Sequence, residues 1–257
     1  MTRHTFVIGL CLVVAVLAVP AKAQAPDPKA SSEDWSFTFA PYLWASALEG
    51  DVATLPPAPP ANVDAGFDDI LDNLDIAFMG IGEVRKGRFA VVVDLIYIDL
   101  TDDASTPGPL FSGAELETQA FVGTFQGSYR VLERERGLLD LRAGVRVWSV
   151  STELALDAGL LPARKVDETE TWVDPVVGFQ GRLNLGNRFY ITTMANIGGF
   201  GVGSDLTWDA LAGLGYQVND WFAPFVGYRH LSVDYDKDDF LFDAEISGPL
   251  IGGIIRF

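Results

Sequence analysis

The chain has 257 residues, with 18 basic and 35 acidic side chains and a net charge of −17. That balance argues against a nucleic-acid partner, because phosphate binding needs basic surface. The one cysteine, Cys11, leaves no disulfide framework and no thiolate metal site, and no cofactor is expected.

From the N-terminus, Arg3 and His4 precede an apolar run from Phe6 to Val19, which Pro20 breaks. Ala21-Lys22-Ala23 then forms a small-x-small site before Gln24. This order predicts a secretory signal peptide over residues 1–23. The run is short for a transmembrane helix, and Leu10 stands where a lipoprotein signal has a small residue before its cysteine. Cleavage would remove Cys11, Arg3 and Lys22 but no acid. Beyond it no run of 18 apolar residues remains, yet hydrophobic residues make up 49% of the chain, with 26 glycines.

Alternation accounts for that apolar content. Between Glu170 and Leu185, Val173, Val177, Phe179, Leu183 and Leu185 share one parity, opposite Trp172, Asp174, Gln180, Arg182 and Asn184. A period of two is a strand with one apolar and one polar face. Phe121, Phe125, Tyr129 and Val131 oppose Thr124, Gln126, Ser128 and Arg130 in the same way. Leu139, Leu141, Ala143, Val145 and Val147 oppose Asp140, Arg142 and Arg146. Ten such segments are predicted: 35–48, 74–86, 88–101, 115–131, 138–154, 170–185, 188–200, 205–218, 221–235 and 244–257. Most suit tilted membrane strands of about 9–11 residues with overhang.

Tight turns at Lys86-Gly87-Arg88, Leu185-Gly186-Asn187 and Val218-Asn219-Asp220 alternate with long connections at 49–73, 102–114, 155–169 and 236–243. Short turns on one side and long loops on the other fit an outer-membrane barrel. Gly198 to Gly203 is a short exception, a tight bend at the rim rather than a phosphate loop, since no Lys-Ser/Thr closes it. An even strand count would put both ends in the periplasm, with residues 24–34 as a flexible leader and 35–257 as the barrel domain. Aromatics at strand ends on the apolar parity (Trp35, Phe37, Phe89, Tyr97, Trp208, Tyr216) match interfacial girdles. The expected fold is all-β: a closed antiparallel up-and-down transmembrane β-barrel of about ten strands, with eight or twelve as alternatives.

The chain closes on Ile251-Gly-Gly-Ile-Ile-Arg-Phe257, with Ile251, Ile255 and Phe257 on one parity. This ending resembles the C-terminal insertion signal of bacterial outer-membrane barrels. Gly227-Tyr228-Arg229-His230-Leu231-Ser232-Val233-Asp234-Tyr235 resembles a penultimate strand of the small opacity-like and OmpA/OmpW-like barrel superfamily. The resemblance implies export through the periplasm to the outer membrane, contact with outer-membrane lipids and lipopolysaccharide, and handling by the outer-membrane assembly machinery. It leaves the task open, because that superfamily holds adhesins, anchors, narrow channels and a few lipid enzymes.

Polar parity assigns Glu83, Arg85, Asp94, Arg142, Arg146, Asp174, Arg182, Asp209 and Arg229 to the lumen. Arginine on the lipid face near the midplane would cost roughly 2–4 kcal/mol. A packed ion-pair network that fills a narrow barrel is the plainer expectation, and an arginine-lined anion path the sharper one. The loop 49–73 carries six acids without Lys or Arg. A solvated surface is the plain reading, and weak divalent-cation binding the alternative. Within that loop Phe67, Ile70, Leu71 and Leu74 are spaced for a short amphipathic helix on the barrel mouth.

His230 and Ser232 share the outward face. A four-residue loop joining Tyr235 to Phe240 would set His230 opposite Glu245. A His-x-Ser pair followed by Glu resembles the catalytic set of outer-membrane lipid A deacylases, while a rim histidine without chemistry is the plainer reading. The expected role is therefore non-enzymatic, structural or surface-interacting. A narrow solute channel comes second and a lipid A-modifying hydrolase third. No small-molecule ligand is assigned.

Overall fold

The computed structural model describes residues 34–55, 59–104, 109–186 and 188–257. The expected signal peptide, and all of the leader but Asp34, lie outside these residues. The elements are β1 (Trp35–Trp44), β2 (Ala47–Ala53), β3 (Ala61–Ala65), α1 (Phe67–Asp72), β4 (Leu74–Lys86) and β5 (Phe89–Ala104). They continue with β6 (Phe111–Arg134), β7 (Gly137–Ala158), β8 (Arg164–Gly186), β9 (Phe189–Gly199), β10 (Leu206–Tyr216), β11 (Phe222–Lys237) and β12 (Phe240–Arg256).

From β4 to β12 each strand pairs with its sequence neighbour, and β1 pairs with both β4 and β12. The result is a closed antiparallel barrel of ten strands, with the β2–β3 hairpin appended to β12. The expected count of ten holds for the ring, and the hairpin brings the sheet to twelve. Closure pairs β1 with β4 from Trp35↔Lys86 to Pro41↔Gly80, so the lower wall has no open hydrogen-bonding edge, as a wall facing hydrocarbon requires. The lower turns use left-handed backbone at Gly87 (φ 57°) and Gly186 (φ 89°), which suits glycine.

The apolar parity faces outward. On β8, Val173 and Val177 are 45% and 46% exposed, between buried Trp172, Asp174 and Val176. Tilted aromatic pairs, Phe89 with Tyr129 and Phe189 with Tyr216, mark the lower edge of this belt. Phe78, Tyr97 and Phe121, register neighbours on β4, β5 and β6, mark the upper edge. Phe257 also points outward, and its backbone exchanges hydrogen bonds with Phe37.

The long connections correct the sequence reading. β6, β7 and β8 run for 24, 22 and 23 residues, far beyond the roughly 9–11 that span a bilayer. Most of 102–114 and 155–169 is strand rather than loop. Above the belt the wall has water outside, so outward positions turn polar: Ser149 bonds Thr171 and Ser151 bonds Thr169 across β7 and β8. Inward positions turn apolar, with Trp148, Val150, Trp172, Val233, Phe240 and Phe242 in one buried cluster. The loop 49–73 likewise folds, into β2, β3 and α1. The helix spans the expected Phe67 to Leu71, opened by Gly66, whose N–H donates to Asp69 at 2.9 Å.

Candidate functional site

The lower lumen centres on Asp140. Arg85 donates from Nη2 to Asp140 Oδ2 (2.6 Å) and from Nε to Glu83 Oε1 (2.7 Å), and Arg130 Nε donates to Asp140 Oδ1 (2.8 Å). Arg142 lies 3.6 Å from Glu83 and donates to Gln180. Halfway up, Arg146 pairs with Asp209 and donates to Thr124 (3.0 Å) and Thr207 (3.1 Å). Arg229 donates to Asp94 Oδ2 (2.6 Å), Tyr42 Oη (2.7 Å) and Asp209 Oδ2 (3.3 Å), while Tyr42 Oη donates to Asp94 Oδ1 (3.0 Å). Asn196 donates to the other Asp209 oxygen at 3.2 Å. Arg146, Asp209 and Arg229 are each only 1% exposed. A buried charge is tolerated only when paired and hydrogen-bonded, and each of these has a charged partner.

Seven of the nine expected lumen residues, Glu83, Arg85, Asp94, Arg142, Arg146, Asp209 and Arg229, therefore come together. Two do not. Asp174 faces inward, but its carboxylate accepts from Ser204 N (2.6 Å) and Ser204 Oγ (2.8 Å), closing the turn after β9. A Cβ at Gly203 would stand 2.5 Å from Asp174 Oδ1, so glycine there permits the approach. That turn folds onto the lumen rather than merely bending at the rim. Arg182 has no carboxylate partner among the described residues. Its register neighbours are Leu138 and Thr192, and its guanidinium lies 3.6 Å over the Tyr190 ring. Sequence reasoning left out Asp140, Arg130 and Tyr42. The first two share the inward parity of their strands, which was the available signal.

Above this network Trp172 stacks on Trp148 (centroids 5.7 Å, 8°) and on Tyr235 (4.0 Å, 18°). Tyr235 Oη donates to Glu170 Oε1 at 2.5 Å. Burial, then that carboxylate, pushes the phenol's pKa above its ordinary value.

The His230 register is a second correction. The hairpin turns at Asp238-Asp239, both with positive φ (50° and 67°), a conformation that aspartate tolerates in two-residue turns. Pairing therefore runs to Lys237↔Phe240, which sets Ser232 opposite Glu245 and His230 opposite Ser247. His230 faces outward and stacks on Trp208 (4.5 Å, 25°). Its buried Nε2 has no hydrogen-bond partner, and none of the hydrogen bonds among the described residues joins it to Ser232.

One part of the wall was not foreseen. β1 and β4 pair from Trp35↔Lys86 to Pro41↔Gly80 and then separate. Above that level Tyr42, Leu43 and Trp44 pair only with β12, and Leu74 to Met79 only with β5. The hairpin follows β12, and α1 spans the space left beside it. An apolar pocket of about 1040 Å³ lies beside α1, lined by Leu43, Phe67, Ile70, Leu71 and Met79 at the break and by Ile251, Val226, Leu214 and Ile191 along the outward faces of β12, β11, β10 and β9. Residues 35–82 carry Glu49, Asp51, Asp64, Asp68, Asp69, Asp72 and Asp75 and no Lys or Arg. No group of three or more His, Cys, Asp or Glu among the described residues is arranged to hold a metal.

Closed ring, lipid-facing belt and aromatic edges together define an outer-membrane β-barrel. The fold agrees with that of a solved structure. The outer membrane protease OmpT of Escherichia coli superposes with a TM-score of 0.52 at 10% identity, covering 88% of this chain and 98% of its own. The translocator domain of the autotransporter NalP from Neisseria meningitidis gives 0.47 at 12% identity, covering 87% and 89%. Ail, the attachment invasion locus protein of Yersinia pestis, gives 0.36 at 10% identity, covering 88% and 99%. No protein-family model and no curated protein sequence matches the chain.

Proposed function

We propose that this is an exported outer-membrane barrel, closed along its axis, with a non-enzymatic structural or surface-interaction role carried by the wall above the bilayer. Residues 1–23 direct export and are removed, Phe257 belongs to the insertion signal read by the assembly machinery, and outer-membrane lipid and lipopolysaccharide surround the belt. The observation that carries the reading is the buried Arg146–Asp209–Arg229–Asp94 chain across the lumen. A conducting path needs water at every level, whereas three of these four side chains are 1% exposed. The aromatic layer above supports the same reading, and His230 held against Trp208 supports a non-enzymatic face.

Planar-bilayer recording tests it. The purified protein should give no unitary steps, while Asp94→Ala with Arg229→Ala, which removes one buried pair together, should leak. Reproducible ohmic steps from the unaltered protein would replace this reading with a channel.

A further inference from the structure

The inward arginines are not all neutralised. Arg85, Arg130, Arg142, Arg146 and Arg229 each meet a carboxylate. The pair at the lower mouth meets none among the described residues. Arg182 near the end of β8 and Arg256 at the end of β12 both lie on the inward parity, and both donate to one neutral acceptor. Arg182 Nη2 reaches Gln217 Oε1 at 3.3 Å, and Arg256 Nη1 reaches the same oxygen at 3.0 Å. Arg182 Nε donates to another amide, Asn184 Oδ1, at 3.2 Å. The charge that acts most on Arg182 is Arg256 itself. Two guanidiniums around one oxygen repel each other, and a negative charge between them would relieve that repulsion.

The pair is held in place by its neighbours. Tyr190 is 1% exposed, and its ring carries the Arg182 guanidinium at 3.6 Å. Room for the ring comes from Gly215, where a Cβ would stand 2.1 Å from Tyr190 Cζ. Gln217 is oriented by its own Nε2, which donates to the Asn219 carbonyl and leaves Oε1 to the arginines. Both arginines are half-buried, so each keeps part of its surface in solvent. The turns at this end carry Lys86, Arg88, Arg134, Arg136 and Arg188 against Asp34, Glu133, Glu135 and Asp220, so the acidic excess of the chain lies toward the other mouth. Arginine's planar fork suits phosphate, and two forks together match two negative charges. We infer that the lower mouth binds a soluble phosphate monoester, its dianionic head seated between Arg182 and Arg256 in place of Gln217 Oε1. In the orientation proposed above, this mouth opens to the periplasm. The site needs no closed lumen, so its test is separate from the conductance test.

The full folded protein in alkyl maltoside micelles, which carry no phosphate, is titrated with glycerol phosphate by isothermal titration calorimetry. One saturable site per barrel is expected. Binding should weaken with added salt and as pH falls through about 6, where the dianion takes up a proton. Acetate should bind at least about tenfold more weakly. Arg182→Gln and Arg256→Gln should each weaken glycerol phosphate by at least about tenfold. Gln217→Glu keeps the side chain's shape and sets a carboxylate between the two arginines; it should abolish binding in a barrel at least as stable as the parent. Arg188→Gln, at an exposed turn position whose guanidinium donates to the Val218 carbonyl, should leave binding unchanged. Phosphatidylglycerol added to the micelles should not compete. The absence of a saturable site, equal binding of acetate, or binding that survives Gln217→Glu would overturn the proposal. Competition by phosphatidylglycerol would assign the pair to a lipid headgroup and overturn the soluble ligand.

Discussion

Below the ring of Phe78, Tyr97 and Phe121 the wall is apolar outside and charged inside. Above it β7 and β8 are polar outside and apolar inside. One strand shows both. Outward Leu141, Val145 and Val147 give way to Ser149, Ser151 and Glu153, while inward Asp140, Arg142 and Arg146 give way to Trp148 and Val150. The pleat does not change across that boundary; only the solvent outside does. Where hydrocarbon bathes the outer face, outward apolar side chains gain nothing from turning inward, and the polar side chains satisfy one another in the lumen. Where water bathes it, the hydrophobic effect drives apolar groups inward, as in a soluble barrel.

The comparison can be broken at several points, most forcefully inside. Asp209→Ala leaves Arg146 without its carboxylate, and should destabilise the barrel by about 3–5 kcal/mol in reversible urea unfolding from lipid vesicles. Trp172→Ala attacks the other interior. It removes the ring stacked on Trp148 and Tyr235 and should cost about 3–5 kcal/mol, through lost packing rather than an orphaned charge. Double-mutant cycles tell the two apart: Asp209→Ala should couple to Arg146→Ala, and Trp172→Ala to Trp148→Ala.

A pair of arginines on one face of β8 sharpens the boundary itself. Val177→Arg meets hydrocarbon and should cost roughly 2–4 kcal/mol. Thr171→Arg, three outward positions higher, meets water and should stay within about 0.5 kcal/mol. Similar costs at both would put the bilayer elsewhere. The smallest effect is at Tyr235, above the belt. Its folded-state pKa is raised by burial and by Glu170. The stabilisation of the neutral phenol is therefore complete below the ordinary tyrosine value of about 10 and is lost as pH rises through the higher folded value. Ultraviolet difference titration should show the late-ionising phenol signal smaller by one tyrosine in Tyr235→Phe than in the unaltered protein.

Much of this was legible in the residues. The parity of Val173, Val177, Phe179, Leu183 and Leu185 gave the lipid face directly, and the arginines opposite gave the lumen. The spacing of Phe67, Ile70 and Leu71 gave the helix. The upper wall is harder to read, because Trp172 shares the parity of the polar face yet is buried, while Ser149 and Thr171 share the parity of the apolar face and point outward. Alternation persists there but inverts, and a rule tuned to lipid reads inversion as loop. Asp174 needs a turn 30 residues away to reveal its partner Ser204, and Arg182 shares its parity but not its neighbours. The His230 pairing slipped by two because Asp238-Asp239 makes a tighter turn than four residues would. The break between β1 and β4 had no local signal, since it follows from the hairpin's choice of β12 over β4.

The central claim, a dry interior behind a bilayer-facing wall, is tested most directly by cysteine accessibility in a chain whose one cysteine is Cys11. With Cys11 replaced, Thr124→Cys would sit beside Arg146 at a position 4% exposed, and Thr171→Cys on the outer face above the belt. In the folded, reconstituted protein a small charged thiol reagent should label position 171 rapidly and leave 124 unlabelled, while both react after unfolding. Labelling of position 124 in the folded protein at a rate comparable to 171 would mean that water fills the lumen, and would contradict the account.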